Sequence, residues 1–138
     1  MASNSLLEAV VYAHHAAVHA IEQIRHISIC RDVPAWNAEG MEFNEEMVLI
    51  TQTRKELQEI MSNYVGIVRS NLRLQRAFDR LSLIYKETED LYKRSVLTED
   101  LSELRNLIAC AYLIIKAATN RKESVGLHYS VDYPPRDK

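Results

Sequence analysis

The sequence contains little glycine, proline or cysteine, and each shortage excludes a class of fold or site. There are 3 glycines, 3 prolines and 2 cysteines in 138 residues. Glycine and proline together make up roughly 4% of the chain, against about 12% in average proteins, so the many tight turns of a β-sandwich or barrel are excluded. Glycine-rich phosphate-binding loops are excluded for the same reason. A mostly helical chain remains.

Charge and cysteine usage restrict the possible partners and compartment. The chain has 17 Lys and Arg against 19 Asp and Glu, a net charge of −2, so no long-range field attracts nucleic acid or an anionic membrane. Cys30 and Cys110 are isolated thiols, which suits a reducing compartment. No segment reaches the ~18 apolar residues of a membrane span, and the first residues lack a basic signal-peptide region. We therefore expect a cytoplasmic protein.

Apolar residues recur at helical spacing in four segments, which predicts an all-α fold. The first helix is expected from about Asn4 to about Ser28, on a stripe that includes Val10, Ala17 and Ile21. The expected architecture is a three-helix bundle preceded by this long N-terminal helix and followed by an irregular tail. The predicted regions are 1–29 for the first helix, 30–43 for a loop, 44–122 for the bundle and 123–138 for the tail. The predicted core positions of the bundle are Met47, Ile50, Leu57, Met61, Tyr64, Val68, Leu74, Ala77, Leu81, Ile84, Thr88, Leu91, Leu101, Leu104, Ile108, Ala111 and Ile115.

Local signals place the loop anchor and the helix ends. Trp36, the one tryptophan, is expected to anchor the loop. Asn44, Ser70 and Thr98 stand where helix caps are needed, and their side chains can accept the first backbone N–H groups. Gly66 falls inside the predicted second helix, where a close backbone contact would offset its cost of about 1 kcal/mol relative to Ala.

A search for chemistry finds one weak metal-binding pattern. His15 and His19 lie four residues apart on the first helix, with Glu22 and His26 on the same face, which could hold a divalent ion. No second helix supplies an evident ligand, so we favour a solvated or interfacial face and expect no metal site. No catalytic motif is present either. These patterns alone leave open a free-standing helical module that binds a partner helix, or a metal, through the face of His15 and His19.

Several strings resemble, in order, the C-terminal part of the L-aspartate oxidase branch of the succinate dehydrogenase and fumarate reductase flavoprotein family. They are SNSLLE at 3–8, YVGIVR at 64–69, ELRNL at 103–107 and RKESVGLHY at 121–129, followed by DYP at 132–134. The strings span nearly the whole chain. Val125 departs from the family pattern, which usually has Arg there, so any salt bridge of that Arg is absent. A succinate dehydrogenase or fumarate reductase flavoprotein subunit remains the alternative branch.

The resemblance implies a flavin contact at the start of the first helix. Ser5 and Leu6 would contact the flavin ring of FAD, supported by Ser3 and Asn4. The first N–H groups of a helix have no intrahelical partner and lie at the positive end of its dipole, so they can stabilise negative charge on the ring. For Ser3 and Asn4, simple helix capping explains the residue types equally well.

The resemblance also implies that this chain is a fragment. In the family, the whole enzyme oxidises L-aspartate to iminoaspartate with FAD, which oxygen or fumarate reoxidises, and it supplies quinolinate synthase in NAD biosynthesis. Residues 1–29 would be the last helix of the FAD-binding domain, and the rest of that domain, the capping domain and the catalytic residues would lie upstream. We therefore expect these residues alone to be inactive and not to hold FAD. The partners expected for the chain are those upstream domains. Without them the exposed apolar face of the first helix is expected to drive self-association. The sequence assigns no partners to Arg69, Arg105 and His128.

Overall fold

Four helices and two short strands follow one another in the residues that the computed structural model describes, 5–43 and 45–135. The chain divides into two units, Met1–Asn37 and Ala38–Lys138. The elements are α1 (Ser5–Ile24), α2 (Met47–Tyr64), β1 (Val68–Arg69), α3 (Asn71–Arg94), α4 (Glu99–Asn120) and β2 (Tyr129–Ser130). The all-α prediction is therefore confirmed, with a minimal sheet added.

The helices α2, α3 and α4 pack against one another and form the core of the second unit. Every core position predicted for α3 and α4 is buried, because both helices carry an apolar stripe with the helical period. Both predicted caps are also confirmed. The Ser70 hydroxyl accepts from the backbone N–H of Arg73 at 3.2 Å, and the Thr98 hydroxyl accepts from that of Leu101 at 3.3 Å.

The second helix follows its predicted stripe less closely. Ile50 and Leu57 are buried as predicted, but Ile60, which the pattern missed, is buried as well. Met61 and Tyr64 are partly buried against the core, whereas Met47 and Val68 are exposed. The helix begins at Met47 with Glu46 at the cap position, and the predicted cap, Asn44, lies outside the described residues.

Gly66 was predicted to lie inside the second helix, but it lies after the end of α2. The helix ends at Tyr64, and the N–H of Val65 donates to the carbonyl of Met61 at 3.1 Å. A Cβ atom on Gly66 would lie 2.5 Å from the backbone oxygen of Ser62. The expected close backbone contact therefore exists, but it belongs to the turn after α2.

The C-terminal tail is more ordered than predicted. β2 pairs in parallel with β1, with Val68 opposite Tyr129 and Arg69 opposite Ser130. The N–H of Val131 then donates to the carbonyl of Arg69 at 2.9 Å. Apart from this two-residue strand the tail is irregular, as predicted; the sequence did not predict the pairing, because the partner strand lies about 60 residues upstream and leaves no local signal.

The first unit is built around α1, which ends at Ile24 rather than near Ser28. None of its described residues is buried, so the predicted apolar stripe is exposed along the whole helix. Trp36 is not a buried anchor for the loop, because its side chain is 60% exposed. Among residues 5–43 and 45–135, no helix is long and apolar enough to cross a lipid bilayer.

Candidate functional site

The start of α1 carries two of the four predicted flavin contacts. The helix begins at Ser5, and Leu6 follows in its first turn with 82% of its side chain exposed. Ser3 and Asn4 lie outside the described residues. A helix start presents backbone N–H groups to an acceptor, and an exposed leucine offers an apolar surface to a ring. These groups fit one edge of a flavin, although Glu8 adds a negative charge to the same turn.

Of the residues in the predicted metal-binding pattern, His15, His19 and Glu22 lie on α1, and His26 follows the end of this helix. His15, His19, Glu22 and His26 are all exposed. Among the described residues, no group of three or more His, Cys, Asp or Glu side chains could hold a metal ion. The solvated or interfacial face favoured by the sequence fits these exposures.

Arg69 and His128 meet where β1 and the tail come together. The Nε of Arg69 donates to the carbonyls of Val65 at 2.9 Å and Gly66 at 3.1 Å. Its Nη1 lies 2.8 Å from Nδ1 of His128, whose side chain is only 8% exposed. Burial, together with the charges of Arg69 and Arg121, lowers the pKa of His128. This junction joins two segments that the sequence separates widely.

The tail is also bonded to the start of α3. The carboxylate of Asp132 accepts from the backbone N–H of Asn71 at 2.5 Å, where the helix dipole favours negative charge. The hydroxyl of Tyr133 accepts from the amide of Asn71 at 3.2 Å. Within the tail, the hydroxyl of Ser124 accepts from the N–H of Ser130 at 2.9 Å and donates to the carbonyl of Tyr133 at 2.5 Å.

Arg105, on α4, bonds to Glu89 on α3 and contributes to the wall of an apolar groove. Its guanidinium donates to both carboxylate oxygens of Glu89, and its Cζ lies 4.3 Å from the centre of the Tyr92 ring. The bond to Glu89 raises the pKa of Arg105. The adjoining groove has a volume of about 600 Å³, and aromatic side chains such as Phe78 and Tyr112 contribute to its wall.

A second arginine crosses from α2 to α4. The guanidinium of Arg54 contacts the carboxylates of Asp100 at 3.2 Å and Glu103 at 3.0 Å. These bonds explain why a charged residue interrupts the apolar stripe of α2, because the guanidinium of Arg54 reaches carboxylates at the start of α4.

A family model for the C-terminal region of fumarate reductase flavoproteins matches residues 54–138, which include α2 from Arg54 onward, α3, α4 and the tail. The chain belongs to this flavoprotein family. The resemblance seen in the sequence strings is therefore confirmed.

The family's curated members give a narrower likeness. The chain is 45% identical over 134 residues to "L-aspartate oxidase" of Pseudomonas aeruginosa and 43% identical to that of Vibrio cholerae. Both alignments cover 97% of this chain and 25% of the relative. The chain therefore spans about a quarter of the length of the curated relatives it matches.

A solved structure is similar in fold to this chain. The chain resembles the structure titled "Mycobacterium smegmatis Sdh1 complex in the apo form", with a TM-score of 0.54 and 26% sequence identity. The likeness covers 90% of this chain and 20% of that one.

Sequence reasoning singled out Arg69, Arg105 and His128 as parts of family strings but could not find their partners. The structure pairs Arg105 with Glu89, one side chain from each of two neighbouring helices. It also brings Arg69 within hydrogen-bonding distance of His128, 59 residues later in the chain. Apart from the family strings, nothing in the sequence indicated that either pair would form.

Proposed function

We propose that this chain is the C-terminal region of an FAD-dependent L-aspartate oxidase. The supporting observation is its 40–45% identity, over 97% of its length, to bacterial proteins named L-aspartate oxidase. In the whole enzyme, FAD would accept the hydride removed from L-aspartate, and the product would be iminoaspartate. Oxygen or fumarate would reoxidise the flavin, and the product would pass to quinolinate synthase in NAD biosynthesis in the cytoplasm.

In this proposal the residues of the chain have a binding role rather than a catalytic one. The first turn of α1, with Ser5 and Leu6, would hold the flavin edge through backbone N–H groups and an apolar contact. The bundle would serve as an accessory domain packed against the FAD-binding and capping domains of the same longer chain. The exposed apolar side chains of α1 support such a contact, since a wide unpartnered apolar face is typical of an interface.

The test is to express the chain together with its upstream reading frame and to compare it with the 138 residues alone. We expect the longer protein to carry FAD and to consume oxygen when L-aspartate is added, whereas the 138 residues should do neither. A Leu6→Asp variant of the longer protein should bind FAD about tenfold more weakly, because a second carboxylate in the first turn opposes negative charge on the ring.

Ile67→Asp is the matched control for that variant, since Ile67 is 86% exposed and lies on the bundle. It should leave FAD binding unchanged. Aspartate turnover or tight FAD binding by the 138 residues alone would contradict the assignment of a purely accessory role.

The alternative branch is a succinate dehydrogenase or fumarate reductase flavoprotein subunit. The family model and the mycobacterial structure keep this alternative open. Substrate preference separates the two. Oxidation of succinate without oxidation of L-aspartate by the longer protein would select the alternative.

The isolated chain should self-associate through α1. Leu6, Val10 and Ile21 are 82%, 69% and 57% exposed on this helix, and water-exposed apolar surface of this extent favours pairing with a second copy. Light scattering across a concentration series should show a mass above that of the monomer. A double Val10→Asp and Ile21→Asp variant should restore the monomer, while a monomeric wild type at high concentration would refute the prediction.

A further inference from the structure

The tautomer of His128 follows from its partner. Arginine has five N–H donors and no acceptor, so Nδ1 of His128, 2.8 Å from Arg69, must accept the hydrogen bond. The proton of a neutral imidazole then resides on Nε2. In the described part of the chain this Nε2 is buried and has no hydrogen-bond partner. This contact therefore requires an uncharged His128.

Charged groups around the ring oppose its protonation. Arg69 faces it from β1, and Arg121 faces it from the position directly after α4. Within residues 5–43 and 45–135, Glu123 is the charge that favours protonation of the ring, and its carboxylate lies 3.6 Å from the guanidinium of Arg121. A protonated Nδ1 could no longer accept from Arg69, and two like charges would then lie within hydrogen-bonding distance.

His128 stands directly before the strand that fixes the tail. β2 begins at Tyr129, and the next bonds to the bundle are those from Val131 to Arg69 and from Asn71 to Asp132. Arg69 itself is held by the carbonyls of Val65 and Gly66 at the end of α2. Loss of the His128 contact therefore removes the bond that connects the turn before β2 to the bundle.

We propose that His128 is a protonation-sensitive latch, whose neutral imidazole adds one bond between the tail of residues 123–135 and Arg69 and whose protonation weakens the attachment of the tail. The latch is most stable at neutral pH, and acid favours its opening. The bundle itself stays folded, because its core is formed by α2, α3 and α4.

The sign of the pH dependence follows from linkage. The pKa of His128 is lowered in the closed state, whereas in the released tail it returns to about 6.5. The closed state is therefore fully favoured above about pH 6.5 and loses stability as the pH falls below that value. One proton is taken up on opening, so the opening constant rises by up to about tenfold per pH unit until the closed-state pKa is reached.

Amide hydrogen exchange, read by NMR on the 138-residue chain, tests this latch. The N–H groups of Ser130 and Val131 report directly, since they bond to Ser124 and Arg69. Between about pH 7.5 and pH 5.5, a window above the ordinary carboxyl pKa values, the opening constant in the wild type should rise by up to about tenfold per pH unit below pH 6.5. Exchange rates are compared with those of an unstructured chain at each pH, which removes the intrinsic effect of pH.

The control is His128→Asn, whose side-chain oxygen can accept from Arg69 but does not titrate. Its opening constant should be flat across the same window. An Arg121→Gln variant, which keeps the Arg69 contact, should show a smaller total rise in the opening constant, because without this cation the closed-state pKa of His128 lies nearer to about 6.5.

An NMR titration of the His128 ring is a second test, and it uses only the wild-type protein. The other four histidines all lie within residues 14–26, so one imidazole signal should differ from the rest and titrate with a midpoint below about 6.5. A midpoint at or above that value would overturn the latch. So would equal pH dependence of the Ser130 and Val131 amides in the wild type and in His128→Asn.

Discussion

Leu104→Ala should destabilise the bundle by about 3 kcal/mol, because it removes a fully buried side chain from the packed centre. Leu104 is 1% exposed and belongs to the core cluster formed by α2, α3 and α4. The loss combines the transfer free energy of the missing methyl groups with the cost of the cavity left behind. Urea unfolding followed by far-ultraviolet circular dichroism should show a lower midpoint with an unchanged slope.

The matched control is Leu113→Ala on the same helix, where the side chain is 63% exposed. Its effect should stay within about 0.5 kcal/mol. Equal destabilisation by the two variants would contradict the assignment of the α4 core face.

Gly66→Ala should destabilise the bundle by about 2 kcal/mol, although alanine ordinarily favours helical chain. The new Cβ would lie 2.5 Å from the carbonyl oxygen of Ser62, and because that atom is backbone, the turn itself must shift. The shift would also displace the Gly66 carbonyl that accepts from Arg69. The variant should therefore lower the urea midpoint and increase exchange at Ser130 together.

Ile67→Ala is the control next to it, since the Ile67 side chain is 86% exposed, and its effect should stay within about 0.5 kcal/mol. A Gly66→Ala variant as stable as the wild type would show that the turn can relax without cost. The predicted close contact would then have no energetic consequence.

The accuracy of the sequence predictions depended on how local each signal was. The faces of α3 and α4 were predicted correctly because one stripe with the helical period faces one core, and because Ser70 and Thr98 satisfy N–H groups three residues away. The end of α2 was not predicted correctly, because no residue before Gly66 gives a signal for the end of a helix. The exposed Trp36 was also misjudged, since a large apolar side chain gives no information on whether a partner surface lies nearby.

In the candidate site, too, the sequence predicted what depends on neighbouring residues and missed what depends on distant ones. The flavin-facing assignment of Ser5 and Leu6 came from a family string, and the structure adds the helix start and the exposure of Leu6. The Arg69 and His128 junction could not be derived from any local pattern. Fifty-nine residues separate the two side chains, and only the parallel pairing of β1 with β2 brings them together.

By itself, the sequence determined the helical class, the core faces of α3 and α4, their caps and the flavoprotein family, because periodicity, capping and family strings are properties of neighbouring residues. Tertiary structure alone decided where the tail binds, which partners Arg54, Arg69 and Arg105 take, and that His128 is buried with one nitrogen facing a cation. Those outcomes depend on contacts between distant segments, and such contacts are fixed only when the helices pack and the strands pair.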